Sequence, residues 1–140
     1  MLTSETLHAT TVSIDGVGIM ICGLSGSGKS DLALRLIDRG AVLVSDDYTI
    51  LTKSDEKLLA SAPSTIRGKI EMRGVGLVDK KFVENVPVKL IVELGGTVPR
   101  LPDERKTRNI LGVFLPVVPL SPFEHTTPIK VEHALKALTD

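Results

Sequence analysis

The chain has 140 residues, a length suited to one hydrophobic core, so a single domain over residues 1–140 is expected. Its 42% hydrophobic and 24% charged residues exclude a disordered class, and with 3% aromatics and no Trp the core must be aliphatic. Seventeen basic residues balance seventeen acidic ones, which offers neither nucleic acid nor an anionic membrane surface an electrostatic handle.

The lone Cys22 forms no internal disulfide and supplies no thiolate zinc cluster. Without an N-terminal h-region or a run of about 18 apolar residues, neither export nor a membrane span is expected. The expectation is a cytoplasmic protein.

In chain order, residues 7–14 are rich in β-formers, and Asp15-Gly16 is a turn signal before the apolar residues 19–22. That pattern predicts a hairpin. After a Gly-rich loop, residues 31–39 carry Leu32, Ala33, Leu34, Leu36 and Ile37, too many apolar positions for a surface helix. Gly40 is a helix stop, and residues 41–44 read as a buried strand ending at Ser45-Asp46-Asp47. Two short strands are expected at 48–52 and 58–62, around a polar turn. Residues 63–80, punctuated by Pro63, Gly68, Gly74 and Gly76, are expected to be mostly loop. Strands follow at 86–94, with Pro87 near the start, and at 110–118, separated by a dense charge run at 100–108 read as a solvated loop. Thr127-Pro128 opens a last helix whose Val131, Ala134, Leu135 and Leu138 share one face.

Gly23, Leu24, Ser25, Gly26, Ser27, Gly28, Lys29 and Ser30 fit the phosphate-loop pattern G-x-x-x-x-G-K-[ST] without a mismatch. The loop follows a predicted strand and opens a predicted helix, which aims backbone N–H groups and a positive helix end at a phosphate chain. Lys29 would reach the β- and γ-phosphates and Ser30 would place its hydroxyl on Mg²⁺. The plain alternative is a Gly/Ser turn. Asp46 and Asp47 follow Lys29 by 17 and 18 residues, short for the second acidic element of such enzymes. If strand, helix and strand make one β-α-β crossover, the acidic pair and the loop share a sheet edge. One aspartate could then serve Mg²⁺ and the other accept a proton. Glu71 and Arg73, beside Gly74 and Gly76, are a set suited to metal and phosphate contacts. His8 is a lone strand histidine.

Together these motifs resemble the catalytic domain of the bacterial HPr kinase/phosphorylase family, in its short proteobacterial form. His8, the loop at 23–30, Val44-Ser45-Asp46-Asp47 and Ile70-Glu71-Met72-Arg73-Gly74-Val75-Gly76 follow the family's motif order over about residues 7–118. The resemblance implies an α/β fold, a P-loop core related to PEP carboxykinase and HPr kinase, with a mixed sheet around a buried phosphate-loop helix. It also implies ATP and Mg²⁺ as cofactors. His8, Lys29 and Asp47 become active-site residues, with Asp47 the proton acceptor, Asp46 assisting, and Ser30 and Glu71 the Mg²⁺ ligands. Arg100, in Pro99-Arg100-Leu101, resembles a later catalytic arginine.

The implied activity is ATP-dependent phosphorylation of a serine on the phosphocarrier HPr, with phosphate-dependent dephosphorylation as the reverse. The implied assembly is a homo-oligomer, a hexamer in the family. Two departures stand out. No separate N-terminal domain is expected, and the family's late Pro-Gly-Arg-Asn segment, which supports dephosphorylation, is replaced near Leu120-Ser121-Pro122-Phe123-Glu124-His125. Another P-loop small-molecule kinase and a non-catalytic ATP-sensing module are the alternative readings.

Overall fold

Aliphatic alternation and Gly-centred turns divide the chain into short strands. The computed structural model describes residues 3–101 and 106–139. Among the described residues are β1 (Ser4–Leu7), β2 (Ala9–Ile14), β3 (Val17–Cys22), α1 (Lys29–Asp38), β4 (Val42–Ser45), β5 (Thr49–Ser54) and β6 (Lys57–Ser61). These are followed by β7 (Lys69–Met72), β8 (Gly76–Asp79), β9 (Val86–Leu94), β10 (Lys106–Ile110), β11 (Val113–Leu120) and α2 (Thr127–Thr139).

One large sheet runs β1-β5-β6-β9-β3-β2-β4, with β11 joining β9 and β10 joining β11. It is mixed: β3 and β11 are both parallel to β9, whereas β2 is antiparallel to β3 and to β4. β9 serves two neighbourhoods. Its start pairs with β6 at Leu59↔Pro87 and Ala60↔Val86, and its later residues pair with β3 and β11. Gly18 opposes Val88 while Ile19 opposes Leu90, so Lys89 is an extra residue in β9. That bulge switches which face successive apolar side chains occupy.

The sheet therefore has an apolar core on each side. Ile19 and Ile21 of β3, with Leu90 and Val92 of β9, pack under Leu32, Ala33 and Leu36 of α1 and Val131 and Leu135 of α2. Met20, pointing the other way as strand alternation requires, joins Val44, Leu51, Leu58, Val88, Ile91 and Leu115 where the sheet curls on itself. Arg39 and Glu132, with Nη2 and Oε1 2.7 Å apart, tie the end of α1 to α2. That hydrogen bond and the carboxylate's charge push the Arg39 guanidinium pKa further up.

The mixed α/β architecture agrees with the sequence reading in three details: the first hairpin, the buried helix after the phosphate loop, and the last helix's apolar face. Four local readings need correction. The loop expected at 63–80 contains the antiparallel ribbon β7–β8, with Met72 opposite Gly76, because residues 73–75, with Gly74 at φ 88°, turn the chain back on itself and Gly76 opens the second strand. The single strand expected at 110–118 is a hairpin, β10–β11, whose corner residues Leu111 and Gly112 both have positive φ, 53° and 86°. That is the turn geometry matched to strand twist, and Leu there gives no sequence signal for it. Third, His8 lies in a bend between β1 and β2, so the strand expected at 7–14 is broken there. Fourth, of the charge run at 100–108 expected as a solvated loop, residues 102–105 lie outside the described residues, and residues 106–108 are exposed but form the start of β10, paired with β11.

Leu36 is fully buried between α1 and the sheet. Leu36→Ala is expected to lower stability by about 2–5 kcal/mol, read as a lower urea midpoint at unchanged m-value.

Candidate functional site

The phosphate loop begins where β3 ends. Leu24 accepts the Ser27 N–H at 3.0 Å, closing a turn, and the Gly28 carbonyl accepts the Leu32 N–H at 3.0 Å as the first bond of α1. Gly28 is the N-cap with φ 101° and no side-chain cap, so the N–H groups of the first turn of α1 have no capping side chain. The loop is a cradle that side chains would fill: a Cβ built on Gly23 would lie 2.4 Å from Ser27 Oγ. Ser27 Oγ itself is buried with no hydrogen-bond partner among the described residues, a polar atom suited to a ligand oxygen. Lys29 is buried, and its Nζ donates to the Gly23 and Leu24 carbonyls at 3.0 and 3.1 Å, which holds the ammonium across the loop.

The acidic pair sits at the end of β4. β3 and β4 run parallel but are not neighbours, because β2 lies between them, antiparallel to both. The crossover through α1 skips one strand, and the edge is still shared. Ser30 Oγ donates to Asp46 Oδ1 at 2.6 Å, Thr10 Oγ1 donates to the same oxygen at 3.1 Å, and the Glu71 backbone N–H donates to Asp46 Oδ2 at 2.9 Å. Asp46 is 6% exposed, and these donors compensate its burial.

Asp47 is different. It takes φ 68°, its backbone N–H donates to Thr10 Oγ1 at 3.1 Å, and its carboxylate stands in the open with Oδ1 2.7 Å from His8 Nε2. An ionised carboxylate can only accept, so the ring N–H is the donor. Tyr48 packs its ring 5.1 Å from the imidazole.

His8, Lys29, Ser30, Asp46, Asp47 and the Glu71 backbone are thus drawn to one sheet edge. Arg73 is exposed at the tip of the β7–β8 ribbon, with no hydrogen bond or ion pair to the site among the described residues. Arg100 is exposed in the segment after β9, whose last residues lie beside the end of β3. Thr10 and Tyr48 escaped the sequence reading. Thr10 looks like an ordinary β-former, and its one signal is a place two residues after His8, on the strand beside β4.

The donor set fits Mg²⁺. Ser30 and Glu71 offer hard oxygen ligands, and one carboxylate, Asp46, holds both residues in place. Among the described residues no cluster of three or more His, Cys, Asp or Glu could cage a metal.

Cys22 ends β3 just before the loop. Burial pushes its thiol pKa up, against the lowering effect of the Arg108 guanidinium, whose Nη1 lies 3.9 Å from Sγ. A raised pKa keeps the thiol protonated, so Cys22 is expected to react with iodoacetamide at pH 8 more slowly in the folded protein than in urea, as measured by mass spectrometry. Folding stability from this group should fall as pH rises above the unfolded thiol pKa of about 8.5, where only the unfolded chain ionises. Thr10→Val removes a donor to Asp46 and the acceptor of the Asp47 N–H. It is expected to cost about 1–3 kcal/mol in urea denaturation, with Thr10→Ser close to wild type.

Residues 1–136 match the family model described as the HPr Serine kinase C-terminal domain. The HPr kinase/phosphorylase of Chloroherpeton thalassium is 38% identical over 146 residues, covering 94% of this chain and 43% of that protein. That of Caldicellulosiruptor bescii is 37% identical over 132 residues, covering 84% and 42%. The chain thus spans about two-fifths of the length of these curated relatives. Among solved structures, the Hpr(Ser) kinase/phosphatase from Coxiella burnetii superposes with a TM-score of 0.83 at 30% identity, covering 96% of this chain and 90% of that one. No helix among the described residues is long and apolar enough to cross a membrane. With its fold, its motifs and nearly its whole length matched, the chain belongs to the HPr serine kinase C-terminal domain family.

Proposed function

We propose that this chain transfers the γ-phosphoryl group of ATP to a serine hydroxyl of an HPr-type phosphocarrier protein. The observation that carries the reading is the exposed His8–Asp47 pair, one residue from the buried Asp46 that holds Ser30 of the phosphate loop. A proton acceptor and a phosphate cradle meet at one sheet edge. The names of the relatives, HPr kinase/phosphorylase, support the choice of acceptor protein.

In the transfer, the serine Oγ bonds to the γ-phosphorus as its proton passes to Asp47. The bond from the γ-phosphorus to the bridging oxygen breaks, and ADP leaves. His8 donates to Asp47 Oδ1 and leaves Oδ2 to take the proton. Lys29 and the first-turn N–H groups of α1 carry phosphate charge in a preorganised site. A bound Mg²⁺ would neutralise phosphate oxygens, and Ser30 and Glu71 are the residues that would hold it. Arg73 and Arg100 are assigned to the phosphoryl group as cations on exposed segments.

In the reverse direction, inorganic phosphate attacks phosphoserine and releases pyrophosphate, with Asp47 returning the proton to the serine oxygen. The same reading places the protein in the cytoplasm and in a hexamer.

Purified protein incubated with ATP, Mg²⁺ and HPr should add one phosphoryl group to intact HPr, and none to HPr lacking the acceptor serine. Asp47→Asn should slow transfer by roughly 10²- to 10⁴-fold while ATP binding persists, whereas Lys29→Ala should weaken both. Normal labelling by the Asp47→Asn protein removes the base assignment. Phosphorylation of a metabolite with unlabelled HPr points to a small-molecule kinase, and ATP binding with no transfer points to a sensing module.

A further inference from the structure

The connection between β11 and α2 is held more firmly than a surface loop requires. Arg35 of α1 donates through Nη2 to the Pro122 carbonyl and through Nη1 to the Glu124 carbonyl, the latter at 3.0 Å, while Asp31 holds its Nε at 3.1 Å. Thr127 Oγ1 donates to the Ser121 carbonyl. This frame presents an aromatic ring in the open. Phe123 is 66% exposed, yet it sits on the backbone of the phosphate loop. A Cβ built on Gly28 would lie 3.0 Å from its Cε1 and Cζ and 3.1 Å from Pro122 Cβ. Core packing does not account for a mostly exposed ring fixed in this way.

Topology says which end of a triphosphate the ring would meet. The phosphate loop leaves β3; on one side lie β2 and β4, bringing His8, Asp46 and Asp47, and on the other lie β9 and β11, bringing Phe123. The phosphoryl group to be transferred belongs beside Asp47, so the nucleoside belongs on the β11 side. We propose that Phe123, backed by Pro122, is the stacking platform for the base of the nucleoside triphosphate, an inference that rests on the phosphate-donor reading above. A phenyl ring offers a π face and no hydrogen-bonding edge, so it accepts adenine and guanine alike.

The test compares ATP with inorganic tripolyphosphate, which has the phosphates and no base, by titration calorimetry on the whole chain with Mg²⁺. Phe123→Ala should bind ATP roughly tenfold more weakly and tripolyphosphate as wild type does. Equal losses for both ligands mean that the ring only buttresses Gly28, and unchanged ATP affinity means that it does not touch the base; either result overturns the proposal. A wild-type protein that binds neither ligand defeats the phosphate-donor reading itself, and the subsite with it. Phe123→Trp places one tryptophan in a chain that has none. Its fluorescence should be quenched by ATP and not by tripolyphosphate, and an unquenched Trp in a protein that binds ATP overturns the assignment.

Discussion

One buried carboxylate organises the site. Asp46 gathers a hydroxyl from β2, a hydroxyl from the first turn of α1 and a main-chain N–H from β7. A charge removed from water must be matched by donors, or the fold bears the full desolvation cost. The four elements that meet at the end of β4 are therefore held to one arrangement, and the phosphate loop is held with them through Ser30.

The same arrangement separates two chemically identical neighbours. Asp46 is consumed by its donors, whereas Asp47, turned by its left-handed backbone conformation, stands in solvent beside His8. An exposed carboxylate with one imidazole partner can exchange a proton with an incoming group. A carboxylate accepting three hydrogen bonds is a fixture. Thr10 serves both, as donor to one and acceptor from the backbone of the other.

Much of this was legible because it is written in contiguous residues. The loop at 23–30, the apolar helix behind it and the strand ending in two aspartates are local patterns, and the crossover they imply puts them at one edge. What was hidden depends on residues distant in sequence. The insertion of β2 between β3 and β4 follows from long-range pairing, which local periodicity does not encode. Gly74 and Gly76 read as breakers, when one sits in a turn and the other opens a strand, and Leu111 occupies a left-handed corner that sequence would assign to Asn or Gly. Thr10 gives no chemical signal until Asp46 is placed beside it. The role of Arg100 rests on motif likeness alone and that of Arg73 on its guanidinium beside Glu71 and two glycines, and the fold leaves both on exposed segments.

β9 has a consequence for how the molecule comes apart. Its first residues are hydrogen-bonded into the curled layer and its last into the layer beneath the helices, with the Lys89 bulge between them. Neither layer can open without exposing this strand, so the two apolar cores should melt as one cooperative unit. The β7–β8 ribbon pairs only with itself among the described strands, and it is held instead by the Glu71 N–H on Asp46 and by the buried Ile70. Amide exchange should be slowest along β9, the strand that both cores share.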